Sequence, residues 1–196
     1  MVMLNFFHGV EVVEIDDGPR PIQTVRSSVI GLVGTAPNAD ADRFPLDTPV
    51  LIAGRRSDMQ GIGDTGTLPA ALNDIFDQTG ALIVVVRVET FVDANEQIAA
   101  IIGGVDTNTG KYLGISAFLG AESEIRLSPK ILIAPEFSHN VAVANTLITV
   151  SEGLRAISVA DGPNTNDSDA FDFRDQFGSP RLYIVDPWVR IFDTVL

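Results

Sequence analysis

Four carboxylates in this sequence follow closely on apolar stretches of strand character. Glu89 follows ALIVVVRV, Glu136 follows ILIAP, Asp161 follows AISVA and Asp186 follows LYIV. If those stretches are parallel neighbours, the acids line the carboxyl edge of one sheet. That edge is where α/β proteins bind ligands, and clustered carboxylates there can hold Mg²⁺. The chemistry would be that of a Mg²⁺-dependent, hydrolase-type α/β enzyme. A plainer reading is turn formation, because Pro135-Glu136, Asp161-Gly162-Pro163 and Asp186-Pro187 are combinations that end strands. No Lys, Ser or His stands at a spacing that supplies a base or nucleophile. The reading therefore assigns no catalytic residue, no metal ligand and no cofactor.

Gly61-Ile62-Gly63-Asp64-Thr65-Gly66 matches G-x-G-x-x-G, with a helical pattern after it and Glu89 downstream. A dinucleotide site needs a tight strand-to-helix turn, but the preceding strand-like stretch stops near Ala53. Asp64 would also sit inside the proposed anion site and repel a pyrophosphate. A glycine-rich connection explains the same residues. The two histidines, His8 and His139, form no H-x-x-x-H pair, and a metal site needs more convergent ligands. They read as a strand residue and a surface residue. Trp188 and the phenylalanines at 118, 137, 171, 173, 177 and 192 read as core or buried interface, because few basic residues accompany them.

The composition narrows the classes further. At 196 residues, 45% hydrophobic and 20% charged, the chain suits one globular domain, or one domain plus an arm. The net charge is −13, and the 13 basic residues, only two of them lysine, are scattered. Without a basic stripe, no nucleic-acid footprint is expected. No cysteine is present, which removes disulfides, thiolate metal sites and cysteine nucleophiles. The longest strongly apolar run is Ala81–Val86, far short of the ~20 residues that span a bilayer. The opening lacks a basic segment and a cleavage site, so it does not read as a signal peptide and assembly from the cytosol is expected.

The elements that must position these residues alternate. Residues 22–34 and 49–53 read as strands, with a loop between them. Thr67–Gly80 reads as a helix capped by Thr67, with Leu68, Leu72, Ile75 and Phe76 on one stripe. Residues 81–88 form a strand apolar on both faces, as in a covered sheet. Asp93 caps a helix that stops at Gly103-Gly104. A short helix is expected over Lys111–Gly120. Strands follow at 131–134, 156–160 and 182–185. Between them lie a helix capped by Ser138 and another that starts at Asp167 or Ser168 and is closed by Gly178. The fold class is α/β, a mixed, largely parallel sheet with helices on its faces, preceded by an extended N-terminal strand arm.

The two ends do not fit an isolated domain. Residues 1–15 are apolar and strand-like, with no local hairpin partner, and DDGPRP follows as an extended hinge. Such a strand can pair with the sheet edge of another subunit. Residues 1–21 are therefore read as an exchange arm and hinge, and 22–196 as the α/β domain. The final stretch, PWVRIFDTVL, is apolar to its last residue, so truncation at that end is expected.

These segments resemble a known family. FFHGVEVVEIDDGPRPI, SSVIGLVGTAP and DTPVLI, followed by LRAISVADGPN and FGSPRLYIVDPWVRIFD, are similar to contractile tail sheath proteins of myoviruses and R-type pyocins, in one order from Phe6 to Asp193. The resemblance implies a structural polymer, not an enzyme. Its subunits would stack in a helical array around a tail tube protein, exchange terminal strands, and shorten on a baseplate trigger to drive the tube through a target envelope. It also implies a location in the virion tail sheath, after assembly in the bacterial host cytoplasm. The subunit-interface residues it implies are Phe6, Phe7, Val10, Val12, Val13 and Ile15. The partners it implies are neighbouring sheath subunits, tube and baseplate, without nucleic acid or membrane insertion.

Overall fold

The computed structural model describes residues 29–189. Six strands form one sheet in the order β2-β3-β1-β6-β7-β8: β1 Ile30–Thr35, β2 Pro49–Ala53, β3 Leu82–Val88, β6 Ile131–Ile133, β7 Ile157–Asp161 and β8 Leu182–Val185. All neighbours are parallel except β2, which runs antiparallel to β3. The helices are α1 Thr67–Gln78, α2 Ala94–Ile102, α3 Ala121–Ile125, α4 Val141–Leu154 and α5 Asp167–Arg174. A small hairpin pairs β4 (Gly104–Val105) with β5 (Tyr112–Leu113). The expected mixed, largely parallel α/β sheet is what the structure shows.

Alternation along the strands divides the core in two. Val33, Val84, Val86 and Leu132 face one side, under α2, α4 and the 3-10 helix Gly114–Gly120. Leu32, Ile52, Ile83 and Val85 face the other, under Leu68 and Leu72 of α1. Successive residues of β3 are buried on opposite faces, so the strand is apolar throughout rather than alternating.

Several boundaries differ from the sequence reading, two of them because a hydroxyl, that of Thr67 or Ser138, serves a distant partner. Thr67 is the first residue of α1, not its cap. Gly66 holds the cap position at φ +95, while the Thr67 hydroxyl accepts from Thr35 N. Asn140, not Ser138, caps α4, its side chain accepting from Ala142 N. Asn166 caps α5, which ends at Arg174 rather than at Gly178. Residues 111–120 are not one helix. They give β5 and then the 3-10 helix, separated at Gly114 by its φ of +55. Asp93 does cap α2, accepting from Asn95 N and Glu96 N. The part of the first expected strand before residue 29 lies outside the described residues, as does the arm.

Candidate functional site

The direction of travel across the sheet reverses at β1. The chain moves from β1 to β3 on one side, then returns past β1 to β6 and continues outward to β7 and β8. Ligand clefts of open α/β sheets lie at the carboxyl ends of strands near such a switch. A cleft of about 740 Å³ opens here. One wall is the first half of α1, with Thr67, Ala70, Ala71 and Asp74. The other is formed by Pro135 and Glu136 after β6, Asp161 at the end of β7, and Val185, Trp188 and Val189 from β8 onward.

Of the four acids singled out in the sequence, Glu136 and Asp161 reach this cleft, whereas Glu89 and Asp186 do not line it. Asp161 is committed to Ser138. The Ser138 hydroxyl donates to Asp161 Oδ2 at 2.9 Å and accepts from Asp161 N at 3.0 Å. Asp186 Oδ1 accepts from Asn164 N at 2.8 Å and braces the turn after β7. Glu136 adopts φ +66 within the β6–α4 turn, and Glu89 is exposed beyond β3. Among the described residues, no three His, Asp or Glu side chains come together to hold a metal ion. The turn reading accounts for the acids, and the Mg²⁺-enzyme reading lacks a ligand set.

The glycine motif is explained by its backbone. Gly61, Gly63 and Gly66 have φ of +93, +84 and +95, the left-handed region that glycine alone enters freely. A Cβ on Gly66 would lie 2.4 Å from the Thr35 carbonyl oxygen. The first amide of α1, which a phosphate would need, already donates to Thr35 Oγ1 at 3.2 Å. The geometry is that of a strand-to-helix clamp.

His139 is exposed and lies against Trp188, with ring centroids 5.5 Å apart. The Trp188 indole N–H donates to Gly162 O at 2.6 Å. Phe118 and Phe173 are core residues, whereas Phe171 and Trp188 are 64% and 45% exposed, so the aromatics are not uniformly interior. His8 and the six interface candidates Phe6, Phe7, Val10, Val12, Val13 and Ile15 lie outside the described residues.

Sequence reasoning missed two positioning residues and misassigned a third. Arg87, the lone charge in an apolar strand, donates from Nε to Phe44 O at 2.6 Å and anchors the β1–β2 loop. Gln97 is buried, bridging Phe91 N and Glu89 O. Ser138 is the third. Only Arg87 carried a visible signal, being a cation inside an otherwise uninterrupted hydrophobic run.

The comparisons with known proteins point in one direction. The family "Tail sheath protein Gp18 domain III N-terminal region" matches residues 27–88, the span containing β1, β2, α1 and β3. A prophage major tail sheath protein of Pseudomonas aeruginosa (strain UCBPP-PA14) is 38% identical over 97% of this chain and 49% of its own length. The tail sheath protein of Escherichia phage P2 is 39% identical over 98% of this chain and 50% of its own. The major tail sheath protein of Serratia phage KSP20 is 39% identical over 97% and 49%. The chain is similar to tail sheath proteins along nearly all of its residues, and it spans about half the length of these curated relatives. Among the described residues, no helix is long and apolar enough to cross a membrane.

Proposed function

We propose that this chain serves as a structural subunit of a contractile phage-type tail sheath. It polymerises around the tail tube through donated β-strands and shortens to drive the tube into the target envelope. The observation that carries this reading is the similarity to tail sheath proteins over almost every residue of the chain. The proposed donor is residues 6–15, with 16–21 as hinge and 22–196 as the α/β domain. The proposed partners are neighbouring sheath subunits, the tube and the baseplate, with assembly in the host cytoplasm and no catalytic turnover.

The fold is compatible with strand donation. β2 and β8 each pair on one side only among the described residues, and an unpaired edge accepts an extended segment by main-chain hydrogen bonds. The acid-lined carboxyl edge suits contacts that must break and re-form, since exposed charge is more reversible than an apolar seal.

The test is co-expression with a tail tube protein, in a version extended to the length of the relatives, followed by electron microscopy. Tubular polymers are expected. Deleting residues 1–15 should leave the melting temperature unchanged and abolish the tubes. Tubes that persist without those residues would remove the donor role.

A further inference from the structure

Parallel sheets are normally covered on both faces. Among the described residues, one face is covered only in part. The register Ile133↔Val159↔Tyr183 places these three residues on the face that carries α1, and Ile131↔Ile157 lie on that face too. α1 covers β1 and β3, and of the β6–β8 half only Ile133 joins its cluster. Ile157, the first residue of β7, is 52% exposed, and Tyr183, on the edge strand β8, is 65% exposed. On the opposite face β6 and β7 are closed by α4, where the Ser151 and Ser158 hydroxyls are hydrogen bonded in full burial. The imbalance is between the two faces of β6 and β7.

We propose that the α1-side face of β6, β7 and β8 seats an amphipathic helix supplied by the half of the tail sheath polypeptide outside the span that this chain matches. The proposal rests on the tail sheath relationship, not on strand donation or contraction. The relatives carry about as much chain again as the matched part. Three strands about 4.8 Å apart present a strip roughly 10 Å wide, the diameter of one helix with its side chains. The neighbour already in place prepares the slot. α1 turns Ala70 and Ala71 toward the cleft, and small residues let a second helix approach closely. The route out of β8 passes the same place, since Trp188 and Val189 line the cleft. The occupant is specified by the surface. It needs an apolar stripe over Ile157, Val159 and Tyr183, and a Lys or Arg where the stripe meets Glu136 and Asp161. A second copy of this chain is the competing occupant.

The chain contains no cysteine, so single-cysteine reporters are clean. Ile157→Cys and Tyr183→Cys should react with a maleimide at rates comparable with Val92→Cys, a fully exposed control, in the dilute 196-residue chain. At the aligned positions of full-length Escherichia phage P2 tail sheath protein, held unassembled by dilution in a cysteine-free background, labelling should slow by about tenfold or more. The control position should not change. Equal rates in the two proteins would overturn the proposal. So would protection that appears only on assembly, or protection of the short chain that grows with its concentration, since each assigns the face to another copy. Should the cysteines perturb the long protein, the aligned Tyr183→Asp variant gives a second readout. Limited proteolysis should release the unmatched half from that variant faster than from the parent, and an unchanged digestion pattern counts against the idea. Loss of polymer formation enters none of these readouts, so the proposal can fail while the sheath assignment stands.

Discussion

Ser138 and Asp161 hold each other twice, through hydroxyl to carboxylate and through backbone amide to hydroxyl. Ser138 is 1% exposed, in the turn between β6 and α4, and Asp161 is the last residue of β7. One hydroxyl thus locks the start of α4 to the end of the strand that α4 leads into. One of the four carboxylates that suggested chemistry in the sequence is a structural acceptor in the fold.

Replacing Ser138 with Ala should leave the Asp161 amide without a partner. Loss of a buried partner costs about 1–3 kcal/mol. For a domain of this size that lowers Tm by roughly 3–10 °C. Asp161→Asn retains an acceptor oxygen and should cost less. Thermal denaturation followed by circular dichroism ranks the two variants, and an equal or reversed order would argue against the double contact.

Thr35 and Thr67 form a second reciprocal pair, with distances of 3.1 and 3.2 Å, both residues buried. Thr35→Val and Thr67→Val each remove one acceptor and should each cost about 1–3 kcal/mol. The double variant should cost less than their sum by about 0.5 kcal/mol or more, because removing either acceptor loosens the clamp on which the other bond depends. Urea titrations of the four proteins close the cycle, and simple additivity would mean that the two bonds act independently.

Gly103 and Gly178 should respond oppositely to Ala. Gly103 has φ +64, and a Cβ there would stand 2.0 Å from the Leu113 carbonyl oxygen, so Gly103→Ala forces α2 and the 3-10 helix apart. A loss of about 2 kcal/mol or more is expected. Gly178 has open space around its Cβ position, and Gly178→Ala should be neutral or stabilise by up to about 1 kcal/mol. Paired chemical denaturation measurements distinguish the two.

Asp106 closes the β4–β5 turn, its carboxylate accepting from Asn108 N at 2.7 Å and Thr109 N at 3.1 Å. Those two amides, Asn108 first, hold its pKa below the ordinary value of 3.8. A carboxyl lowered in the folded state contributes stability that is full above its unfolded pKa and is lost as pH falls through the folded one. The NMR titration midpoint of Asp106 should therefore lie below that of the same residue in a peptide covering 104–113. Coincident midpoints would show that the turn does not favour the ionised form.

The layered architecture was legible because it follows from local pattern. Strand β3 announced itself by a two-faced apolar run, α2 by the Asp93 cap, and the β6–α4–β7–α5–β8 alternation by its periodicity. Errors fell where a residue's partner is remote in sequence. Ser138 and Thr67 are good cap formers by type, but Asp161 and Thr35 claim their hydroxyls, 23 and 32 residues away. The segment after Lys111 has helical composition, yet Asp47 takes the Gly114 amide and Gly114 adopts φ +55, so a continuous helix cannot pass. The cleft was half visible. The strand-end acids were found, but the switch at β1 that decides which of them meet is a property of strand order, which no local pattern encodes.

Trp188 is the chain's single tryptophan, seated on His139 with its N–H tied to the carbonyl of Gly162. The protein therefore carries a built-in fluorophore at the junction where three strand ends meet. Its emission wavelength and anisotropy can follow events at that corner in real time, with no dye attached and no residue changed.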